Sequence, residues 1–214
     1  MLKIISIPKS IVWPLILVFI LTVLRVVLFS KYSLVYILWN ILLALIPFFI
    51  SSILLYFKEK NKLKNWVFIV LGIIWLLFLP NAPYIVTDLI HIGVVRAVPV
   101  LFDSILLFTS AYVGLMFGMY SIFNIEKILL SKYSTKITSI IIYVVLFLTS
   151  FGMYLGRFFR FNSWDLLINP FYSSDKLFKT LSYSAYHIEA LIYIPLFFVF
   201  ICISYYSWKN SNKK

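Results

Sequence analysis

Cysteine and acidic residues are both scarce in this chain of 214 residues. The one cysteine, Cys202, excludes an intramolecular disulfide framework, and its position deep in an apolar run disfavours cysteine-nucleophile chemistry. Asp and Glu together number only 7, against 19 Lys and Arg. The sequence also lacks a glycine-rich phosphate loop, a Gly-x-Ser-x-Gly elbow and a His-Glu-x-x-His motif. The usual signatures of nucleotide, serine-hydrolase and zinc-protease sites are therefore missing.

Charged residues of either sign are few, and apolar residues are abundant. Hydrophobic residues make up 63% of the chain, aromatic residues 20% and charged residues 12%. One soluble core of this length could not bury so much apolar surface. The composition therefore predicts an integral membrane protein in contact with the lipid bilayer.

The apolar runs predict an all-α fold, a polytopic transmembrane bundle that forms one integral membrane domain over residues 1–214. A spanning helix needs roughly 20 mostly apolar residues to cross about 30 Å of hydrocarbon. Runs of suitable length occur at 11–30, 34–57, 66–80, 100–123, 137–157 and 185–207. We expect about six spans, with a short polar-striped helix after the third.

Lysine and arginine are distributed unevenly between the two predicted sides of the membrane. Segments on one side, such as FKEKNKLKNW at 57–66, hold about twice as many basic residues as those on the other side. The bias predicts that both termini are cytoplasmic. It also explains the net charge of +12 without a nucleic-acid partner, because basic inner loops lie against anionic lipid.

The stretch LPNAPYIVTDLIHI, residues 79–92, interrupts the apolar pattern. Asn81 can cap a new helix whose first turn contains Pro83, which predicts a short helix over 82–95. Helical spacing then puts four polar side chains on one stripe, namely those of Tyr84, Thr87, Asp88 and His91. On this prediction, Asn81, Tyr84 and Thr87 contact a substrate.

Two interpretations of this stripe remain open. The stripe can face a polar pocket inside the bundle, or the helix can lie at the interface with its polar face in water. Asp88 and His91, three residues apart, can bind a metal ion or share proton transfer, and they can equally form a structural hydrogen bond.

A second polar group, GRFFRFNSWD at 156–165, lies where the fifth span reaches the outer side. Arg157 and Arg160 are suited to clamp a phosphate or carboxylate, with Asn162, Trp164 and Asp165 as further substrate-binding residues. The alternative is a pair of snorkelling arginines beside an aromatic belt.

A third polar group enters the last span from the same side and contains His187 and Glu189. We expect Asp88, His91, His187 and Glu189 to supply catalytic groups. Asp88, His91 and His187 are candidate ligands of a divalent metal such as zinc or manganese. Glycine pairs, Gly114 with Gly118 and Gly152 with Gly156, predict close contact between the fourth and fifth spans.

The stretches LFLPNAPYIVTDLIHI and GRFFRFNSWD, with the six-span layout, resemble the bacterial membrane-protein family catalogued as domain of unknown function 1361. The resemblance implies a bacterial plasma membrane protein and implies no particular activity. The positions that match its recognisable stretches are Asn81, Pro83, Tyr84, Thr87, Asp88, His91, Arg157, Arg160, Asn162, Ser163, Trp164 and Asp165.

Three classes of function are compatible with the sequence. The first is an envelope-lipid hydrolase or transferase that binds an anionic lipid or lipid-linked substrate. The second is a non-catalytic partner of another membrane protein or an assembly subunit. The third is a small transporter, which is disfavoured because few polar groups lie in the predicted inner halves of the spans.

Overall fold

The computed structural model describes residues 7–95, 97–161 and 188–212. These residues form helices joined by short turns, and the described part of the chain contains no β-strand. The helices are α1 (Lys9–Phe29), α2 (Tyr36–Glu59), α3 (Asn65–Phe78), α4 (Asn81–Tyr84), a 3-10 helix (Ile85–His91), α5 (Val100–Leu130), α6 (Thr135–Phe159) and α7 (Ile188–Ser211).

Among the described residues, six helical segments are long and apolar enough to cross a membrane, which confirms the predicted all-α bundle. The third of these segments combines α3, α4 and the 3-10 helix and runs from Asn65 to His91. The fourth, α5, extends to Leu130 and so is longer than predicted. Helix α5 lies centrally, in contact with α1, α2, α4, the 3-10 helix, α6 and α7.

The third segment is divided because α3 ends early. A helix of 14 residues covers roughly 21 Å, less than the thickness of the hydrocarbon. The backbone stays right-handed helical through Leu79 and Pro80, and α4 then contacts α5, α2 and α6. Ala82 and Ile85 are fully buried, so this segment lies inside the bundle rather than along its surface.

The predicted short helix after the third span is present, but it ends at His91 rather than at 95, and most of it is not α-helical. One α-helical turn is followed by a 3-10 helix that ends at His91, and Gly93 then adopts a positive φ of 74°. Short 3-10 segments suit crowded connections, and the β-branched residues Ile85, Val86 and Thr87 are poor α-helix formers. Asn81 makes no capping bond either, because its Nδ2 donates instead to the Phe78 carbonyl at 3.0 Å.

The glycine pairs contact the segment from Pro80 to Ile85 and not each other. A Cβ on Gly114 would collide with the Ala82 carbonyl oxygen, and a Cβ on Gly152 would lie 2.5 Å from Pro80 Cγ. The prediction that these glycines join the fourth and fifth spans directly is therefore wrong. Their missing side chains make room for α4 between α5 and α6.

Candidate functional site

A cavity of about 540 Å³ lies between α2, the Pro80–His91 segment and the end of α6. This is within the size range of ligand pockets in proteins. We call it the α2–α6 cavity. Its lining residues are Tyr36, Asn40, Leu43, Pro80, Asn81, Tyr84, Asp88, His91, Gly152, Gly156, Arg157, Arg160 and Phe161.

Asp88 is the most deeply buried charged group of this cavity, with 2% of its surface exposed. Asn40 Nδ2 donates to Asp88 Oδ2 at 3.0 Å, and Arg157 Nη1 donates to Oδ1 at 3.3 Å. Each carboxylate oxygen therefore has one partner, from α2 and from α6 respectively. A buried carboxylate needs such partners to remain charged.

His91 lines the same cavity and is half-buried. Its ring contacts the Tyr36 ring edge to face, with 6.1 Å between centroids. Within the described part of the chain, the His91 ring makes no hydrogen bond, and the hydrogen bond to Asp88 that the sequence left open is not formed. Both ring nitrogens are therefore free to bond a ligand or a water molecule.

The two arginines differ in what they contact. Arg157 is partly buried, with 16% of its side chain exposed, and it is paired with Asp88. Arg160 is exposed, and its guanidinium group has no hydrogen-bond or ion-pair partner among the described residues. Of the predicted clamp, Arg157 is therefore occupied by Asp88, and the Arg160 guanidinium remains available to a ligand.

The other predicted substrate contacts are divided in position. Tyr84 lines the cavity, and its ring packs against Gly156, where a Cβ would lie 3.2 Å from Tyr84 Cε2. Asn81 also lines the cavity. Thr87 is buried outside the lining, and its hydroxyl donates to the Tyr84 carbonyl at 2.7 Å. Thr87 thus stabilises the turn rather than facing the cavity.

Several predicted residues are not brought to the cavity by the described structure. Glu189 is exposed near the start of α7 and does not line the cavity. Asn162, Trp164, Asp165 and His187 lie outside the described residues. The described ranges contain no group of three His, Cys, Asp or Glu residues that could hold a metal ion, and of the predicted ligands they include Asp88 and His91.

Sequence reasoning missed two polar cavity residues from α2, Tyr36 and Asn40. Asn40 had a detectable signal, because it is a lone amide in the apolar run YILWNILLALIPFF. Polar side chains inside a membrane span usually face the bundle interior and have a partner there. Tyr36 had no comparable signal, since tyrosines are common at the ends of membrane spans.

A family model described as "Protein of unknown function (DUF1361)" matches residues 39–208, which is most of the chain. The chain belongs to the DUF1361 family. The DUF1361 match includes Asn40, Asp88, His91, Arg157 and Arg160, and it begins after Tyr36. No curated protein and no solved structure matches the chain significantly.

Proposed function

We propose that this protein is a membrane-embedded hydrolase or transferase that acts on an anionic, lipid-linked envelope substrate in the α2–α6 cavity. The observation that carries the proposal is the cavity itself, which has an imidazole, a carboxylate and two guanidinium groups on its wall. Ionisable groups at membrane depth are costly to bury and usually serve a function.

In this proposal His91 performs the acid–base step. Its ring is half-buried and has no hydrogen-bond partner among the described residues, so it can accept a proton from an attacking water or alcohol. The same proton can then pass to the leaving oxygen as the ester bond breaks. Asp88 is the less suitable base, because Asn40 and Arg157 occupy both of its oxygens.

The position of the cavity supports a substrate with an apolar part. The cavity lies at the level where α3 has already ended, between the first turns of α2 and the last turns of α6. Leu43, Pro80 and Phe161 contribute apolar wall beside the charged groups. A lipid chain and an anionic head group would match these two kinds of surface.

We place the cavity on the outer face of a bacterial plasma membrane. The connection between α2 and α3 contains Lys60, Lys62 and Lys64, and it lies at the opposite ends of these helices from the cavity. The positive-inside rule assigns such a loop to the cytoplasm. Both termini are cytoplasmic in this orientation.

A non-catalytic role as a membrane partner or assembly subunit is the second candidate. Asp88 joins three elements, because it belongs to the 3-10 helix and accepts hydrogen bonds from α2 and α6. Such a network can simply hold a bundle together. In that case removal of either partner would destabilise the fold without affecting any reaction.

A transporter is less well supported. Going from the cavity along α2, the next polar contact after Asn40 is the Pro47 carbonyl, which accepts from the Ser121 hydroxyl. These positions are two helical turns apart, roughly 10 Å. Buried Leu43 and Ala44 lie between them on α2. Over this stretch α2 supplies no polar side chain to a path across the bundle.

The test is turnover of lipid phosphates and diphosphates by the full-length protein in vesicles, with wild type beside His91→Ala. We expect His91→Ala to lower the rate about 100-fold or more, because a positioned general acid–base contributes 10²–10⁴-fold. Thermal stability should hardly change, since the His91 ring makes no hydrogen bond in the described structure. A parallel sample treated with a chelator reports whether a divalent metal takes part.

The exposed Lys62→Ala variant is the matched control, since it removes a side chain from the opposite end of α2. Wild-type turnover that His91→Ala leaves intact would refute the catalytic assignment. The structural alternative would be favoured if the wild type turned over none of these substrates and His91→Ala lowered the thermal stability.

A further inference from the structure

The two ion pairs near the cavity end of the bundle differ sharply in geometry. Arg25 and Asp103 are both 1% exposed, and Arg25 donates to both carboxylate oxygens, at 2.7 and 3.1 Å. Arg157 meets Asp88 through one contact, Nη1 to Oδ1, at 3.3 Å. Two short parallel bonds are typical of a permanent pair. The single long contact is the kind that another anion can replace.

Asp88 is also prepared to lose Arg157. Its second oxygen accepts from Asn40 at 3.0 Å, so the carboxylate keeps a hydrogen bond when the arginine moves away. Arg157 is partly exposed and lines the cavity, so its long side chain lies within reach of a ligand there. When the pair separates, Asp88 keeps Asn40 as a hydrogen-bond donor, and Arg157 can bind the ligand.

Arg160 supplies a cation that the described protein leaves unmatched. It ends α6 with a φ of 49°, a left-handed conformation in which glycine is usual and an arginine is strained. Strained backbone persists where the surrounding structure or the function requires it. Here the strained residue lines the cavity, three positions after Arg157.

We propose that the α2–α6 cavity binds a phosphate-class oxyanion between Arg160 and Arg157, and that Asp88 holds Arg157 until this anion replaces it. The inference takes its site from the proposed function, but it concerns binding and can be tested without turnover. Arg160 makes the first contact because its guanidinium group has no described partner to give up.

A phosphate group fits this arrangement better than a carboxylate. Two guanidinium groups offer more donors than the two oxygens of a carboxylate can use in a planar arrangement. A phosphate presents three or four oxygens in a tetrahedron and can accept from both arginines. The cavity volume of about 540 Å³ leaves space for the remainder of a larger ligand. The same chemistry occurs in a lipid head group and in free phosphate.

The experiment measures binding to the full-length protein in nanodiscs by calorimetry, with inorganic phosphate and short-chain phosphatidic acid as separate probes. Arg160→Gln should weaken binding at least about tenfold, since it removes a charge-assisted hydrogen bond. Asp88→Asn should tighten binding several-fold, because it removes the competing anion and keeps the shape of the side chain. Lys62→Gln at the opposite end of the bundle controls for the loss of one positive charge and should leave binding unchanged.

The proposal predicts opposite effects on binding for Arg160→Gln and Asp88→Asn, and this contrast tests it. Binding that Asp88→Asn weakens would overturn the competition between Asp88 and the anion. Failure of the wild-type protein to bind either probe would overturn the site, as would equal weakening by Arg160→Gln and Lys62→Gln. Binding of phosphatidic acid alone would assign the anion to a lipid, and binding of both probes would assign it to the phosphate group. The expected binding pattern without turnover would refute the enzyme and leave the anion site standing.

Discussion

At the scale of single residues, three buried carboxylates each have a basic partner. The pairs are Asp88 with Arg157, Asp103 with Arg25, and Glu126 with Lys209. Burial of an unpaired charge is very unfavourable, and in this structure each of the three carboxylates is buried beside a cation. Only the first pair lines the α2–α6 cavity. Position, rather than burial, therefore separates the candidate functional pair from the other two.

The Arg25–Asp103 pair should be structural. Arg25 is 1% exposed and also donates to the Lys31 carbonyl at 3.0 Å and the Ser33 hydroxyl at 3.2 Å. Arg25→Met would leave Asp103 buried without its cation, and we expect a loss of about 3–5 kcal/mol in the free energy of unfolding. Denaturant titration of the detergent-solubilised protein measures this loss.

The double variant Arg25→Met, Asp103→Leu is the informative control. Removal of both charges should restore much of the lost stability, because a buried apolar pair replaces a buried ion pair at little cost. Equal instability of the single and double variants would contradict the ion-pair explanation and would indicate that packing of the Arg25 stem dominates.

At the scale of elements, the long helices were predictable from the sequence, and the geometry of the Pro80–His91 segment was not. Each span is recognisable in the sequence as an apolar run bounded by charged residues or prolines. Pro80 and Pro83 correctly indicate that the regular α-helix ends near Leu79, but they do not indicate the conformation of the residues that follow. The 3-10 form and the burial of this segment depend on α5 and α6, whose glycines provide the space. Such long-range packing is not encoded in local periodicity.

The glycines that receive this segment should be sensitive to the smallest side chain. Gly152→Ala places a Cβ 2.5 Å from Pro80 Cγ and 2.8 Å from Pro80 Cβ, and the rigid proline ring cannot move aside alone. We expect a loss of about 1–3 kcal/mol in stability from overpacking. Because Gly152 and Pro80 both line the cavity, phosphate binding should weaken as well.

Gly72→Ala in α3 is the matched control for this change. No heavy atom lies within 4 Å of a Cβ built on Gly72, so alanine there should be neutral or slightly stabilising. Thermal melts of the two variants in the same detergent make the comparison. Similar melting temperatures for Gly152→Ala and wild type would show that α4 can shift without cost, contrary to the packing described here.

At the scale of the whole molecule, part of the candidate site was predictable because its residues are chemically conspicuous. Asp88, His91, Arg157 and Arg160 stand out in an apolar chain, and all four line one cavity. Their partners were harder to foresee. Asn40 is 48 positions from Asp88, and nothing in the sequence specifies which face of α2 meets the 3-10 helix. Contacts between elements decide that, and they follow from the packing of the complete bundle.

The orientation of the molecule is the last prediction, and it determines which side of the membrane supplies the ligand. We expect a cysteine introduced at exposed Asn61, in a Cys202→Ser background, to react with an impermeant maleimide only after the cells are permeabilised. A cysteine at exposed Ala97, beside the cavity end of α5, should react in intact cells. The reverse pattern would place the α2–α6 cavity on the cytoplasmic side. Its anion would then come from the cytoplasm or the inner leaflet, and an extracytoplasmic substrate would be ruled out.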